Sequence, residues 1–193
     1  MRLESSPSIQ KIARGRGALH LYVLVASFLP LTFWIYHAGF ARFSNSRYSQ
    51  SKGDIDNLYM HLANASVQKT AEDYDHAVGL QMFLVGKHGV SAVDRLFWAI
   101  QQLITRSLLA VQQVVIQDRH CFELYGYDVL IDSDLKPWLL EVNASLSLTA
   151  DTEQDYQLKA NVVQHMLDVV DMAGRRSYFG CAFEWLDVSA HKL

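Results

Sequence analysis

The sequence predicts an α+β fold in which antiparallel strands pack against long helices. Three observations predict it. Two apolar runs rich in β-branched and aromatic residues meet at Leu29-Pro30; two further strand patterns, 122–131 and 138–143, flank a cluster of turn formers; and two segments repeat apolar residues at three- and four-residue spacing. A chain of 193 residues corresponds to one domain or a domain with an appendage, at roughly 150 residues per domain. Half of the residues are hydrophobic and 19% are charged, against about 25% charged in an average soluble protein, which excludes a disordered scaffold. Seventeen basic against twenty acidic residues give a net charge of -3, and that balance announces neither a nucleic-acid partner nor a membrane partner.

In chain order, residues 1–17 mix Arg2, Lys11, Arg14 and Arg16 with serines and lack the apolar core of a secretory signal. The uncharged run 21–36 is too short for a spanning helix, which needs about 20 residues, and Pro30 interrupts it. Two buried strands explain it better. Residues 44–56 are polar and contain Gly53, a surface loop by turn chemistry. From 91 to 117, Val93, Leu96, Phe97, Ile100, Leu103, Ile104, Leu108, Val111, Val114 and Val115 form one face of a long helix, with Ser91 as its expected N-cap. A second helix is expected over 156–170, and the tail from Gly174 shows no pattern. Cys121 and Cys181 are too few and too far apart for a disulfide framework, and both are expected as free thiols in a reducing compartment.

The chemistry concentrates on the 122–143 hairpin. Side chains alternate along a strand, so Glu141 and Asn143 share one face while Trp138, Leu140 and Val142 share the other, where Leu140 and Val142 are expected to be buried. If the turn pairs Ile131 with Trp138, counting places Asp128 opposite Glu141. Two facing carboxylates repel, and a cation offsets that repulsion; with Asn143 as a third oxygen donor, the set suits a hard ion such as Mg²⁺. On geometry alone a solvated hairpin face is the commoner arrangement, since acidic residues are frequent on exposed strands.

The run from Cys121 to Ser145, CFELYGYDVLIDSDLKPWLLEVNAS, closely resembles the C-terminal ATP-grasp motif of the tubulin tyrosine ligase-like family, in particular its tubulin polyglutamylase branch. Residues 21–48, 59–69 and 159–172 resemble the family in the same order. The resemblance implies the C-terminal part of an ATP-grasp fold over 18–172, preceded by a non-family segment 1–17 and followed by a tail 173–193. It implies ATP and Mg²⁺ as cofactors, with Asp128, Glu141 and Asn143 as the metal and phosphate ligands. It also implies activation of a carboxylate as an acyl phosphate, attacked by the amine of L-glutamate and so adding glutamate to tubulin tails. Tubulin and microtubules are then the partners, and the cytoplasm and cytoskeleton, extending to cilium or basal body, the location.

Several positions depart from the family pattern. Where the family reads Lys-Phe-Asp-x-Arg, this chain has Arg16, Gly17, Ala18, Leu19 and His20, so only Arg16 keeps a cation at the phosphates. Neutral imidazole cannot copy the permanently charged fork of arginine. The resemblance places Arg42 at the substrate carboxylate, an ordinary loop cation being the alternative, and His61, Asn64 and Lys69 around the nucleotide. These departures, with the family's upstream half lying outside the resemblance, lead to the expectation that the chain alone has no ligase activity. They keep open a second function: a non-catalytic fragment or pseudoenzyme that binds tubulin or a polyglutamylase complex.

Overall fold

The computed structural model describes residues 17–43, 75–116, 121–150, 152–170 and 185–187. Strands β1 (Gly17–Phe28), β2 (Leu31–Tyr36), β3 (Phe40–Phe43) and β4 (Asp75–His76) are followed by helices α1 (Ala77–His88) and α2 (Val90–Val111). Strands β5 (Glu123–Ile131) and β6 (Pro137–Asn143), helix α3 (Glu153–Val170) and strand β7 (Trp185–Asp187) complete the order among the described residues. Among the described residues the strands form one seven-stranded sheet that runs β4-β3-β1-β2-β7, with β5 beside β1 and β6 beside β5. Each pairing with a defined register is antiparallel: β1 with β2, β1 with β3, β2 with β7, and β3 with β4. The mixed α+β class is therefore as the sequence predicts.

The chain divides into two compact units, the first made of 1–20, 39–100 and 128–140 and the second of 21–38, 101–127 and 141–193. In the first, β1 enters with Gly17 to His20 opposite Phe43 to Phe40 of β3. Helix α1 is apolar around its circumference, and Lys87 and His88 complement the carbonyl end of its last turn. It ends at Gly89, whose φ of 80° is left-handed and whose N–H bonds Val85 O at 2.9 Å. Helix α2 starts at Val90, so Ser91 lies in its first turn and is not the cap.

The second unit contains the apolar run that the sequence reads as two strands. Val23 pairs with Ile35 and Phe28 with Leu31 across Leu29-Pro30. Val23, Leu24, Val25 and Phe33 are at most 1% exposed. Among the described residues no helix is long and apolar enough to cross a membrane. Helix α2 contributes to both units: Val93, Leu96 and Ile100 in the first and Ile104 and Leu108 in the second are buried as its periodicity predicts, each worth about 1.5–3 kcal/mol on transfer from water. The helix stops at Val111, six residues early, because Gln112 turns and donates Nε2–H to Phe28 O at 2.6 Å. Val114 is consequently 82% exposed, although its spacing places it on the apolar face. Helix α3 starts three residues earlier than expected. Thr152 caps it by accepting the Asp155 N–H on Oγ1, and Glu153 and Asp155 occupy the first turn. In the tail without pattern, Trp185 to Asp187 pair with Tyr36 to Trp34 of β2.

Between β5 and β6 the turn closes through Asp132 and Lys136, the Asp132 N–H bonding Lys136 O while the Leu135 N–H bonds Asp132 O. Leu135 sits at φ 61°, in the left-handed region. The Asp132 carboxylate accepts the N–H groups of Asp134 and Lys136 and the Trp138 Nε1–H, each at 2.9 Å. The Trp138 bond, followed by the backbone bond from Lys136, holds the Asp132 pKa below the ordinary value of 3.8. A carboxyl whose folded pKa is depressed stabilises fully above its unfolded pKa and loses that contribution as pH falls through the folded value. The pH-dependent movement of the Trp138 indole N–H resonance should therefore have its midpoint below 3.8; a midpoint above 3.8 would contradict these bonds.

Candidate functional site

Strand β5 is buried through its middle, with Tyr127, Asp128 and Val129 at 1%, 6% and 0% exposure. With β1 on one side and β6 on the other, β5 is an interior strand, and Asp128 is the charged group buried along it. A buried carboxylate is costly without a partner, and Asp128 has one: Nδ1 of His20 lies 2.6 Å from its Oδ1. The contact joins β1 to β5 across 108 residues of sequence, within the first unit. Tyr127, next to Asp128, is fixed from the second unit's own helix. Its hydroxyl donates to Ser107 Oγ at 2.9 Å, while Ser107 donates to Ile104 O. Burial, partly offset by the Ser107 bond, raises the Tyr127 phenol above its ordinary value of 10.0, so it stays a neutral donor.

Glu141 and Asn143 lie on β6 in the second unit, and the Asn143 Nδ2–H donates to Glu141 Oε1 at 3.1 Å, consistent with their shared face. Glu141 is exposed. Leu140 and Val142 are 56% and 41% exposed, which corrects the expectation that their face is buried. Strand β6 has β5 as its only strand neighbour among the described residues, and alternation separates two faces without saying which is covered. The closing pair Asp132–Lys136 also differs from the Ile131–Trp138 pair assumed in the count. A shift of one residue exchanges the faces of a strand, so the turn does not by itself set Asp128 against Glu141.

Arg42 lies on β3 at the register position opposite Ala18. Ala18 and His20, two residues apart on β1, share a strand face, so the first unit gathers the positions of Arg42, Ala18, His20 and Asp128. Arg16, His61, Asn64, Lys69 and Cys181 lie outside the described residues. Cys121 is an exposed free thiol.

Asp128, Glu141 and Asn143 offer oxygen donors only, the chemistry that fits Mg²⁺. Among the described residues no cluster of three or more His, Cys, Asp or Glu side chains is placed to hold a metal. The sequence marks His20 as a departure but does not foretell its bond to Asp128, since no local pattern links residues so far apart. A shallow groove of about 350 Å³ along α3, lined by Leu148, Tyr156, Lys159, Val163 and Leu167, contains none of the predicted site residues. Its one cation, Lys159, is engaged by Asp155 Oδ2 at 2.8 Å and by Thr149 O.

A family model described as the tubulin-tyrosine ligase family matches residues 18–177. The chain is 51% identical over 164 residues to "Probable tubulin polyglutamylase TTLL9" of Bos taurus, covering 81% of this chain and 35% of that relative. It is 48% identical over 161 residues to "Probable tubulin polyglutamylase ttll-9" of Caenorhabditis elegans, covering 80% of the chain and 38% of the relative. To "Probable alpha-tubulin polyglutamylase Ttll1" of Tetrahymena thermophila it is 39% identical over 159 residues, covering 79% and 38%. The chain thus spans little more than a third of the length of these relatives.

Proposed function

Because this chain belongs to the tubulin-tyrosine ligase family, we propose that it supplies the metal- and phosphate-binding part of an ATP-dependent ligase that adds L-glutamate to tubulin tails. The observation that carries this reading is Asp128: a carboxylate buried at the centre of β5, inside the run that resembles the family's ATP-grasp motif. Residues 18–172 form the family part of the chain on this reading, and the C-terminal part of an ATP-grasp fold is the finer description of its strands and helices. Asp128, Glu141 and Asn143 would hold Mg²⁺, which when bound would supply positive charge against the negative charge of a transferring phosphoryl group. Tubulin as substrate places the protein on the cytoskeleton.

The chain's own residues have separable tasks. Asp128, fixed by His20, presents negative charge from a rigid strand, whereas Glu141 supplies a second carboxylate held by the Asn143 amide. Arg16, Asn64 and Lys69 meet the nucleotide, and Arg42 meets the carboxylate of the incoming amino acid, a planar anion that a guanidinium fork matches in two hydrogen bonds. One observation favours the second reading, a non-catalytic binder of tubulin or of a polyglutamylase complex: Ala18 is buried and uncharged where the family pattern has an aspartate.

Glu141→Gln separates the two readings at the level of binding, because it removes charge and keeps size at an exposed position. With this chain set in place of the matched segment of the bovine relative, the change should abolish the Mg²⁺-dependent part of ATP binding while leaving the melting curve unchanged. Equal Mg-ATP affinity with and without Glu141 would overturn the ligand assignment.

A further inference from the structure

We infer that His20 is a positioning residue for Asp128, holding the carboxylate in the orientation that receives a divalent cation; this rests on the metal-site reading above. Both side chains are almost fully buried, at 7% and 8% exposure, and meet at 2.6 Å. Each also stands on a strand whose path is set by the sheet, His20 opposite Phe40 on β3 and Asp128 in the interior strand β5 beside β1. Neither group can swing away without leaving the core. A carboxylate with one oxygen bound to a ring nitrogen has its plane set by that ring, so its direction toward a cation is decided before the cation arrives.

The residue type supports the same conclusion. The family pattern has an arginine at this position, whose long charged fork can reach past a neighbouring carboxylate to phosphate. The imidazole of His20 is short and its Nδ1 meets Asp128 Oδ1, the contact that orients that carboxylate. Groups that orient metal ligands in this way typically change metal affinity by about 10–100-fold when removed.

Mn²⁺, which accepts the same oxygen ligands as Mg²⁺, is the probe, titrated against the full 193-residue chain at one fixed pH and followed by the electron paramagnetic resonance of the free ion. The expected result is binding by the unmodified chain, lost in Asp128→Asn, weakened about 10-fold or more in His20→Ala, and restored to within about threefold in His20→Asn. Asparagine places an amide nitrogen where Nδ1 stands. His20→Gln moves the donor one bond further and should resemble alanine in affinity while filling the core. Affinity for Mn²⁺ unchanged in folded His20→Ala or His20→Gln would overturn the inference and leave the metal site standing, as would His20→Asn that folds and fails to rescue. No Mn²⁺ binding by the unmodified chain, or binding insensitive to Asp128→Asn, would instead overturn the metal-site reading and this inference with it.

Discussion

Phe33→Ala should destabilise the chain by about 3–5 kcal/mol, a large fraction of the ~5–15 kcal/mol that a folded domain usually has. Phe33 is 0% exposed and pairs with Val25 of β1, itself 1% exposed, so truncation removes a ring whose whole surface is in contact. The sheet leaves little room for collapse around the vacancy, because Leu24, Val25, Leu31 and Ile35 are already buried around the same hairpin. Urea denaturation followed by circular dichroism checks the value. Trp98→Ala removes a larger aromatic that is 61% exposed and should cost far less. A loss below about 1 kcal/mol for Phe33→Ala would mean that the hairpin is not the core of its unit.

Asp128→Asn should lower glutamate transfer to tubulin by about 10²–10³-fold in a polypeptide that carries this chain in place of the matched segment of the bovine relative. Preorganised groups that offset charge on a transferring phosphoryl are typically worth this much when one is lost. Asparagine is nearly the size of aspartate, and its amide oxygen can still face His20 Nδ1, so the fold should survive the change. The missing element is the negative charge that a divalent cation requires. A transfer rate within about threefold of the unmodified protein would show that Asp128 is not a ligand during reaction.

Local chemistry accounts for what was legible in the sequence. The 21–36 run reads as two strands because β-branched and aromatic residues crowd either side of Leu29-Pro30, and β1 and β2 follow it closely. The core of α2 is visible in the spacing of Val93, Leu96, Ile100, Ile104 and Leu108. Its end is not, because the Gln112 bond to Phe28 O is a tertiary contact that no periodicity records. Helix α1 has apolar residues on all sides and therefore presents no face to read, and β7 has too few positions to show alternation. On β6, spacing separates Glu141 and Asn143 from Leu140 and Val142, yet exposure of the second pair depends on what lies against the strand. The bond between His20 and Asp128 is the clearest case. Each residue is conspicuous alone, and only the pairing of β1 with β5 brings them together.

Transfer of radiolabelled glutamate to tubulin in the presence of Mg-ATP tests the account most directly, measured on the bovine relative with its matched segment replaced by this chain. The account predicts labelling that requires Mg²⁺ and ATP and falls about 10²–10³-fold in Asp128→Asn. A replaced protein that folds and binds tubulin but transfers no glutamate, beside an active parent, would contradict it and assign this chain a binding role without catalysis.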